Sequence, residues 1–348
     1  MPKKDNVKRK AVSVIGKVAC VFFETIILLF IAVFSILAVL SRGPSPTAST
    51  LFVRSVRETS AIGFIADIFF SPEEIQQMEA KPADTVLPDS DPDLIVPTQP
   101  TGGEPDAWGL VDEDGDGIIL EQVRGEGYIG YMMVILDPSR VFMACVPGNF
   151  GVRGYTVQEM AEKFDAVAGI NGGGFDDPEG KGDGSLPIAM VVSDGNFYYS
   201  NLGCGWGFAG FDKNSILHVG MFTGSDVRAR EIQSGVSFGP VLISNGQVSL
   251  SMTNSGVSAR TAIGQRSDGA VLFLVIEGRQ INSIGATHKD LIEIFLSYGA
   301  VTACNLDGGS SAMLWYEDRY VNRCASVVGL RRVPTTFLVR RKGATDNG

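Results

Sequence analysis

Residues 18–40 are almost entirely apolar, with Glu24 the only charge among them. At about 1.5 Å of rise per residue, roughly 20 such residues cross a hydrocarbon core. The run therefore predicts one transmembrane helix. Lys3, Lys4, Lys8, Arg9, Lys10 and Lys17 precede it, and positive charge beside a membrane helix stays cytoplasmic. Residues 1–17 are thus expected to be a cytoplasmic basic tail, with the chain after residue 40 outside: a single-pass cell-membrane protein. The run is longer than the roughly 7–15 apolar residues of a signal peptide, and no A-x-A site follows Leu40. An uncleaved signal anchor is expected.

The chain carries a net charge of −10. Residues 1–40 hold six basic and two acidic residues, which leaves −14 for the remainder. An exterior this acidic argues against nucleic acid as a partner. Cys145, Cys204, Cys304 and Cys324 lie outside the apolar run, in a compartment where disulfides form. Residues 305–311 and the pair Asp318-Arg319 can turn the chain back, which favours Cys304 with Cys324.

Residues 41–80 read as a juxtamembrane helical segment. Ser71-Pro72-Glu73-Glu74 starts a helix with Ser at N-cap, Pro at N1 and Glu at N3. The apolar face of 51–70 is available to a membrane surface or a second subunit. Residues 81–107 carry six prolines among scattered Asp, the composition of an extended linker that buries no core. Residues 108–345 are long enough for one sizeable domain. The 42 glycines of the chain suit a turn-rich, strand-rich architecture. Asp194-Gly195, Asn245-Gly246 and Asp268-Gly269 each lie between apolar or alternating runs, a strong hairpin signal. Helices are expected over 156–164 and over 287–298, the second capped by Thr287 and stopped by Gly299. The continuous apolar run 270–276 predicts a buried central strand. The fold class is α+β: a large mixed or antiparallel sheet with a few flanking helices, preceded by the transmembrane helix.

Several motifs invite chemistry and fail on context. Asp112, Asp114, Asp116 and Gly117 imitate the start of a calcium loop, but Val123 stands where a bidentate Glu is required. Gly235-Val236-Ser237-Phe238-Gly239 has the nucleophile-elbow spacing, yet a strand and hairpin follow it instead of a helix. His218 and His288 are the only histidines, too few for a zinc site without a C-x-x-C. Four other segments concentrate polar groups at strand ends: Asn171 with Gly172, Gly173 and Gly174 before Phe175; Arg260-Thr261-Ala262-Ile263-Gly264; Glu277-Gly278-Arg279; and Asn305-Leu306-Asp307-Gly308-Gly309-Ser310-Ser311.

In this order, the four segments resemble the phosphodiester glycosidase family, with its N-G-G-F-F-like turn, R-T-A-I-G, D-G-R and N-L-D-G-G-x-S-S. Glu277 stands where the family usually has Asp, and an extra Gly separates Asn171 from Phe175. The resemblance spans roughly residues 120–340, and the anchor and linker are similar to those of bacterial membrane-anchored members. It implies hydrolysis of a sugar-1-phosphodiester, on cell-envelope or exopolysaccharide glycoconjugates, with a sugar-phosphate glycoconjugate as partner. Asp307 and Glu277 are then candidates for nucleophile or water-activating base, with Asn171 beside them. Arg260 would clamp the phosphate, and Asn305, Gly308, Gly309, Ser310, Ser311, Gly172, Gly173, Arg279 and Thr287 complete the binding set. No metal or other cofactor is implied, with calcium left open. The rival readings are a non-catalytic glycopolymer-binding module and a polysaccharide assembly or export module.

Overall fold

The computed structural model describes residues 3–58, 62–80, 87–98, 103–176, 183–199, 206–249, 255–326 and 329–343. Chain contacts divide it into two units, one of residues 1–57 and 62–80, the other of 58–61 and 81–348.

In the first unit a helix runs over Lys3–Arg42, and its part Gly16–Arg42 is long and apolar enough to cross a membrane. Helices Pro46–Arg57, Phe64–Phe69 and Pro72–Glu79 follow. The last begins with the expected capping box, Ser71 Oγ accepting from Glu74 N. The apolar face of this segment is covered only in part. Val53 and Val56 are buried with Ala66, Phe70 and Ile75 in a small core of their own, whereas Leu51, Ile62, Phe64 and Ile68 stay exposed.

The second unit is built from antiparallel sheets. The seven-stranded sheet has the order Ile118–Gly125, Tyr128–Ile135, Val271–Ile276, Arg260–Arg266, Ala300–Leu306, Val241–Ser244, Gln247–Val248. Val271–Ile276 is the buried strand expected from its composition. Its odd residues Val271, Phe273 and Val275 join one core and its even residues Leu272, Leu274 and Ile276 another, as the period of two requires. The second core is closed by helix His288–Ser297 through Leu291, Ile292 and Phe295. The first core is shared with two five-stranded sheets: Met143, Ile170 and Phe337 come from one, Val191, Phe211 and Val236 from the other. Helix Val157–Lys163 covers the outer face of the former through Met160 and Ala161. All three Asx-Gly dipeptides sit in two-strand turns, Asp194 and Asn245 adopting positive φ with the glycine that follows.

The Pro-rich segment departs from the linker expectation. Its residues 87–98 lie along the domain. Ser90 N donates to Val219 O and Val219 N to Ser90 Oγ, on the edge strand Leu217–Phe222. Val96 N and Thr98 N donate to Ser267 O and Asp268 O, and Ile95 is buried. An open sheet edge presents unpaired backbone groups, and proline costs nothing where its own N–H is not needed. Composition alone could not reveal that the edge was there.

The thiols also differ from expectation. Cys304 and Cys324 are both free. Cys304 faces the core from the strand Ala300–Leu306, whereas Cys324 Sγ approaches Ser310 O and Gly329 O. Cys204 lies outside the described residues.

Candidate active site

Strand register creates the site. Arg260 pairs with Ile276 and Thr261 with Leu306. The start of one central strand and the ends of its two neighbours therefore meet at one rim of the seven-stranded sheet. Residues 260, 277–279 and 307–311 arrive there together although about fifty positions separate the first from the last. A cleft of about 390 Å³ opens on this rim. Arg260, Arg279, Asn305, Asp307, Gly308, Gly309, Ser310 and Ser311 line it, together with Phe175, Phe238, Ser258, Glu58 and Arg331.

The turn after Leu306 is held tightly. Gly309 N donates to Ala259 O at 2.8 Å, and Gly309 has φ +58, a conformation that excludes most side chains. A Cβ on Gly308 would stand 2.7 Å from Ala259 O. The turn thus lies flush against the backbone that delivers Arg260. Asn305 Nδ2 donates to Gly239 O at 2.9 Å, which fixes the amide orientation. Its Oδ1 is buried and has no hydrogen-bond partner among the described residues. A buried acceptor left unmet is costly.

Arg260 is buried, and burial lowers its pKa against the opposing pull of the Glu58 carboxylate. Its Nε donates to Ala286 O, and its Nη2 to Gly256 O and to Glu58 Oε2, the last at 2.7 Å. Among the described residues, three of the five guanidinium N–H groups are spent within the protein, and none of those three is on Nη1. Glu58 Oε1 also accepts from Gly256 N at 2.9 Å.

Four expected site residues are placed elsewhere, each for a visible reason. Asn171 is fully buried. Its Nδ2 donates to Asp307 O at 2.5 Å, and its Oδ1 accepts from Thr261 Oγ1 at 2.7 Å and Met313 N at 3.2 Å. It sits beneath the cleft and ties three segments together. Gly172 N and Gly173 N are consumed by Thr335, so they offer no amides to a ligand. The glycines are there for close packing: a Cβ would come within 2.6 Å of Thr335 Oγ1 at Gly172 and 2.8 Å of Ser237 O at Gly173. Thr287 caps its helix, Oγ1 donating to Asp290 Oδ2 and accepting from Asp290 N.

Glu277 is a further departure. It is buried, and its Oε1 accepts from Arg323 N at 2.8 Å, away from the cleft lining. The extended strand alternates side chains between two faces, so neighbours at a strand end need not share a cleft. Ser237, from the nucleophile-elbow spacing, is also buried, its Oγ accepting from Met190 N. Asp112, Asp114 and Asp116 each bring a carboxylate oxygen within 4.8 Å of the others, and their oxygens accept from the amides of Gly115, Gly117, Asp116 and Ile118.

Arg331 was not singled out from the sequence. It is one of two adjacent arginines, and nothing in Leu330-Arg331-Arg332-Val333 distinguishes them. The fold sends Arg332 to Glu159 at 2.5 Å and Arg331 to the cleft, where Nη1 donates to Ser310 Oγ at 2.7 Å. Glu58 was missed because it lies some two hundred residues before its partner.

An antiparallel layered fold whose central strands end on an arginine-rich, carboxylate-bearing cleft defines a site for a polar, anionic ligand. The pattern of the phosphodiester glycosidase family matches residues 164–340, about half of the chain, and the chain belongs to that family. It is 28% identical over 216 residues to human N-acetylglucosamine-1-phosphodiester alpha-N-acetylglucosaminidase, covering 56% of this chain and 41% of the human one. The bovine counterpart is 28% identical over 209 residues, 53% of this chain and 38% of its own. A third relative, the SPbeta prophage-derived protein YomE of Bacillus subtilis, is 36% identical over 88 residues, 25% of this chain and 14% of its own. The chain thus spans less than half the length of these relatives. The zebrafish N-acetylglucosamine-1-phosphodiester alpha-N-acetylglucosaminidase catalytic domain, solved auto-inhibited by its pro-peptide, shares the fold: TM-score 0.55 at 19% identity, over 65% of this chain and 82% of that one.

Proposed function

We propose that this protein is a membrane-anchored, extracytoplasmic hydrolase that cleaves the C1–oxygen bond of a sugar-1-phosphodiester in cell-envelope or exopolysaccharide glycoconjugates. The observation that carries the reading is Asp307 standing in one cleft with Arg260, Arg279, Arg331 and Asn305. Breaking the C1–O bond builds positive charge on the sugar and negative charge on the departing phosphate. Phosphate leaves readily, so the site needs a charge clamp and one well-placed carboxylate more than a strong general acid. Asp307 attacks C1 or takes a proton from the attacking water. Arginines stabilise the leaving phosphate, and Phe175 and Phe238 face the ring. Water supplies the new hydroxyl on the sugar, and the products are free sugar and a phosphomonoester. Asn171 and Glu277 act as positioning residues through Asp307 O and Arg323 N.

The test is release of free sugar from an activated sugar-1-phosphodiester. Turnover that disappears in folded Asp307→Asn supports the reading. Tight binding without turnover assigns the cleft to a glycopolymer-binding module instead. The placement is tested separately: protease added to intact spheroplasts should remove the domain after residue 80 and spare residues 1–17, and protection of the domain would overturn it.

A further inference from the structure

We propose that the short helix Phe64–Phe69 is an interfacial anchor, with Phe64 and Ile68 seated in the lipid leaflet at the Arg42 end of the membrane span. This rests on the membrane-anchored part of the reading above and adds a second lipid contact to the span itself.

The stripe lies within the first unit. Phe64 is 61% exposed and Ile68 59%, with Ile62 just before them at 40%. Residues four apart share one helix face, so Phe64 and Ile68 form a single apolar stripe. The other side of the same helix is already engaged, because Ala66 and Phe70 are buried with Val53, Val56 and Ile75. The exposed stripe is therefore a second apolar face, distinct from the one that packs the core. Asp67 is the only charge in the helix. Its Oδ1 lies 3.3 Å from Arg57 Nη2, which pairs the charge with the neighbouring helix Pro46–Arg57.

The depth of the stripe is set by contacts to the span. The rings of Phe30 and Phe34 are 6.4 Å apart, and those of Phe34 and Phe69 are 5.5 Å apart. One aromatic row thus continues from the span onto the short helix. Arg42 closes the corner. Its Nε donates to Phe69 O at 2.8 Å, its guanidinium lies 4.4 Å from the centre of the Phe70 ring, and Nη1 and Nη2 donate to the two Glu74 carboxylate oxygens at 2.6 and 2.8 Å. Phe34 precedes Arg42 by eight residues, about 12 Å along a helix. The headgroup layer on each side of a bilayer is roughly 5–8 Å deep. With the Arg42 guanidinium among the headgroups, Phe34 lies at the level of the acyl chains, and Phe69 beside it.

Lipid suits this stripe better than protein does. The helix is about 9 Å long, whereas a specific protein interface takes roughly 800 Å² from each partner. Partition into a bilayer needs no matching surface and grows with each apolar side chain that enters.

The experiment places one tryptophan at a time, as Phe64→Trp, Ile68→Trp or Gln77→Trp, in the full chain reconstituted into phosphatidylcholine vesicles. Emission added over the wild type, which holds Trp108, Trp206 and Trp315, is quenched from the water by iodide or from the bilayer by brominated lipid. Gln77 is an exposed polar residue of the helix Pro72–Glu79. Phe64→Trp and Ile68→Trp should be quenched by lipid brominated near the headgroup end of its chains, and should resist iodide about fivefold more than Gln77→Trp. Neither result should change with the protein-to-lipid ratio. The anchor is overturned if Phe64→Trp and Ile68→Trp are as open to iodide as Gln77→Trp and untouched by brominated lipid. It is equally overturned by protection that comes without brominated-lipid quenching and fades as the protein is diluted in lipid, which would assign the stripe to a second copy of the chain. Alkaline carbonate washing separates the anchor from its premise. A chain stripped from the vesicles loses span and anchor together, whereas a retained chain with iodide-open tryptophans loses the anchor alone. Sugar release enters neither arm.

Discussion

Two asparagine-led, glycine-rich turns read alike in the sequence. One is Asn171 with Gly172, Gly173 and Gly174; the other is Asn305 with Asp307, Gly308 and Gly309. Both close an apolar strand, and both belong to the motif set that carries the family resemblance. In the fold they differ in kind. Asn171 has every side-chain polar atom engaged inside the protein, and the amides of its first two glycines are bound to Thr335. Asn305 Oδ1 has no partner among the described residues, and Gly308 and Gly309 line the cleft. A glycine run can therefore mean close packing of backbone on backbone as readily as a ligand cradle. What separates the two is whether the facing element is protein or solvent.

The sharpest way to break this contrast is to change one carboxylate and one amide. Asp307→Asn should lower kcat and kcat/KM together by about a thousandfold, some 4 kcal/mol in the barrier, with unfolding by denaturant unchanged. Full activity in that variant would remove the second turn from the chemistry. Asn171→Ala should act in the opposite sense. It leaves Thr261 Oγ1, Met313 N and Asp307 O without their partner, at about 3 kcal/mol of stability, read as a fall in the denaturation midpoint. A variant as stable as wild type would mean the buried network carries no weight.

Smaller effects come from the glycines themselves. Gly173→Ala places a methyl 2.8 Å from Ser237 O and 3.0 Å from Val236 Cβ, and should cost about 1–3 kcal/mol as overpacking. Gly309→Ala meets no such crowding but must hold φ +58, a strain of about 1–2 kcal/mol; its larger signature should be a rise in KM as the Ser310 turn shifts. If both substitutions raised KM equally, the two turns would not differ as described. The mildest test concerns the thiols. Burial pushes the Cys304 thiol up to about 12, so iodoacetamide at pH 8 should leave it unmodified in native protein while alkylating the half-buried Cys324. Protection of Cys324 until reductant is added would restore the disulfide that the turn between them had implied.

Much of the architecture was readable because it rests on local chemistry. The three hairpin turns declare themselves through Asx-Gly pairs that accept positive φ. Thr156 and Thr287 mark helix starts through capping boxes, and 271–276 reads as buried because both faces are apolar. The site was readable only as a set of segments. Arg260, Arg279, Asn305, Asp307 and Ser310 do line one cleft, whereas Glu277, Asn171 and Thr287 turn inward or sideways. Motif membership reports that a residue is needed at a position, and a positioning carboxylate is needed as much as a reacting one. The Pro-rich stretch misled for a related reason: its lack of apolar residues excludes a core of its own, but leaves open its pairing with an exposed edge strand.

By itself the sequence determined what depends on residues close together in the chain: an apolar helix of membrane-spanning length, capped helices, hairpins, an alternating core, and a family recognisable from four ordered segments. Only the tertiary structure decided which polar groups face the cleft, because that follows from strand register. A shift of one residue reverses the face a side chain points to, and pairing Arg260 with Ile276 and Thr261 with Leu306 brings distant segments to one rim. Arg331 reached the site and Arg332 did not, although the two are neighbours in the chain. The last turn before a strand sends consecutive side chains in different directions, and only the surrounding sheets determine which direction holds the cleft.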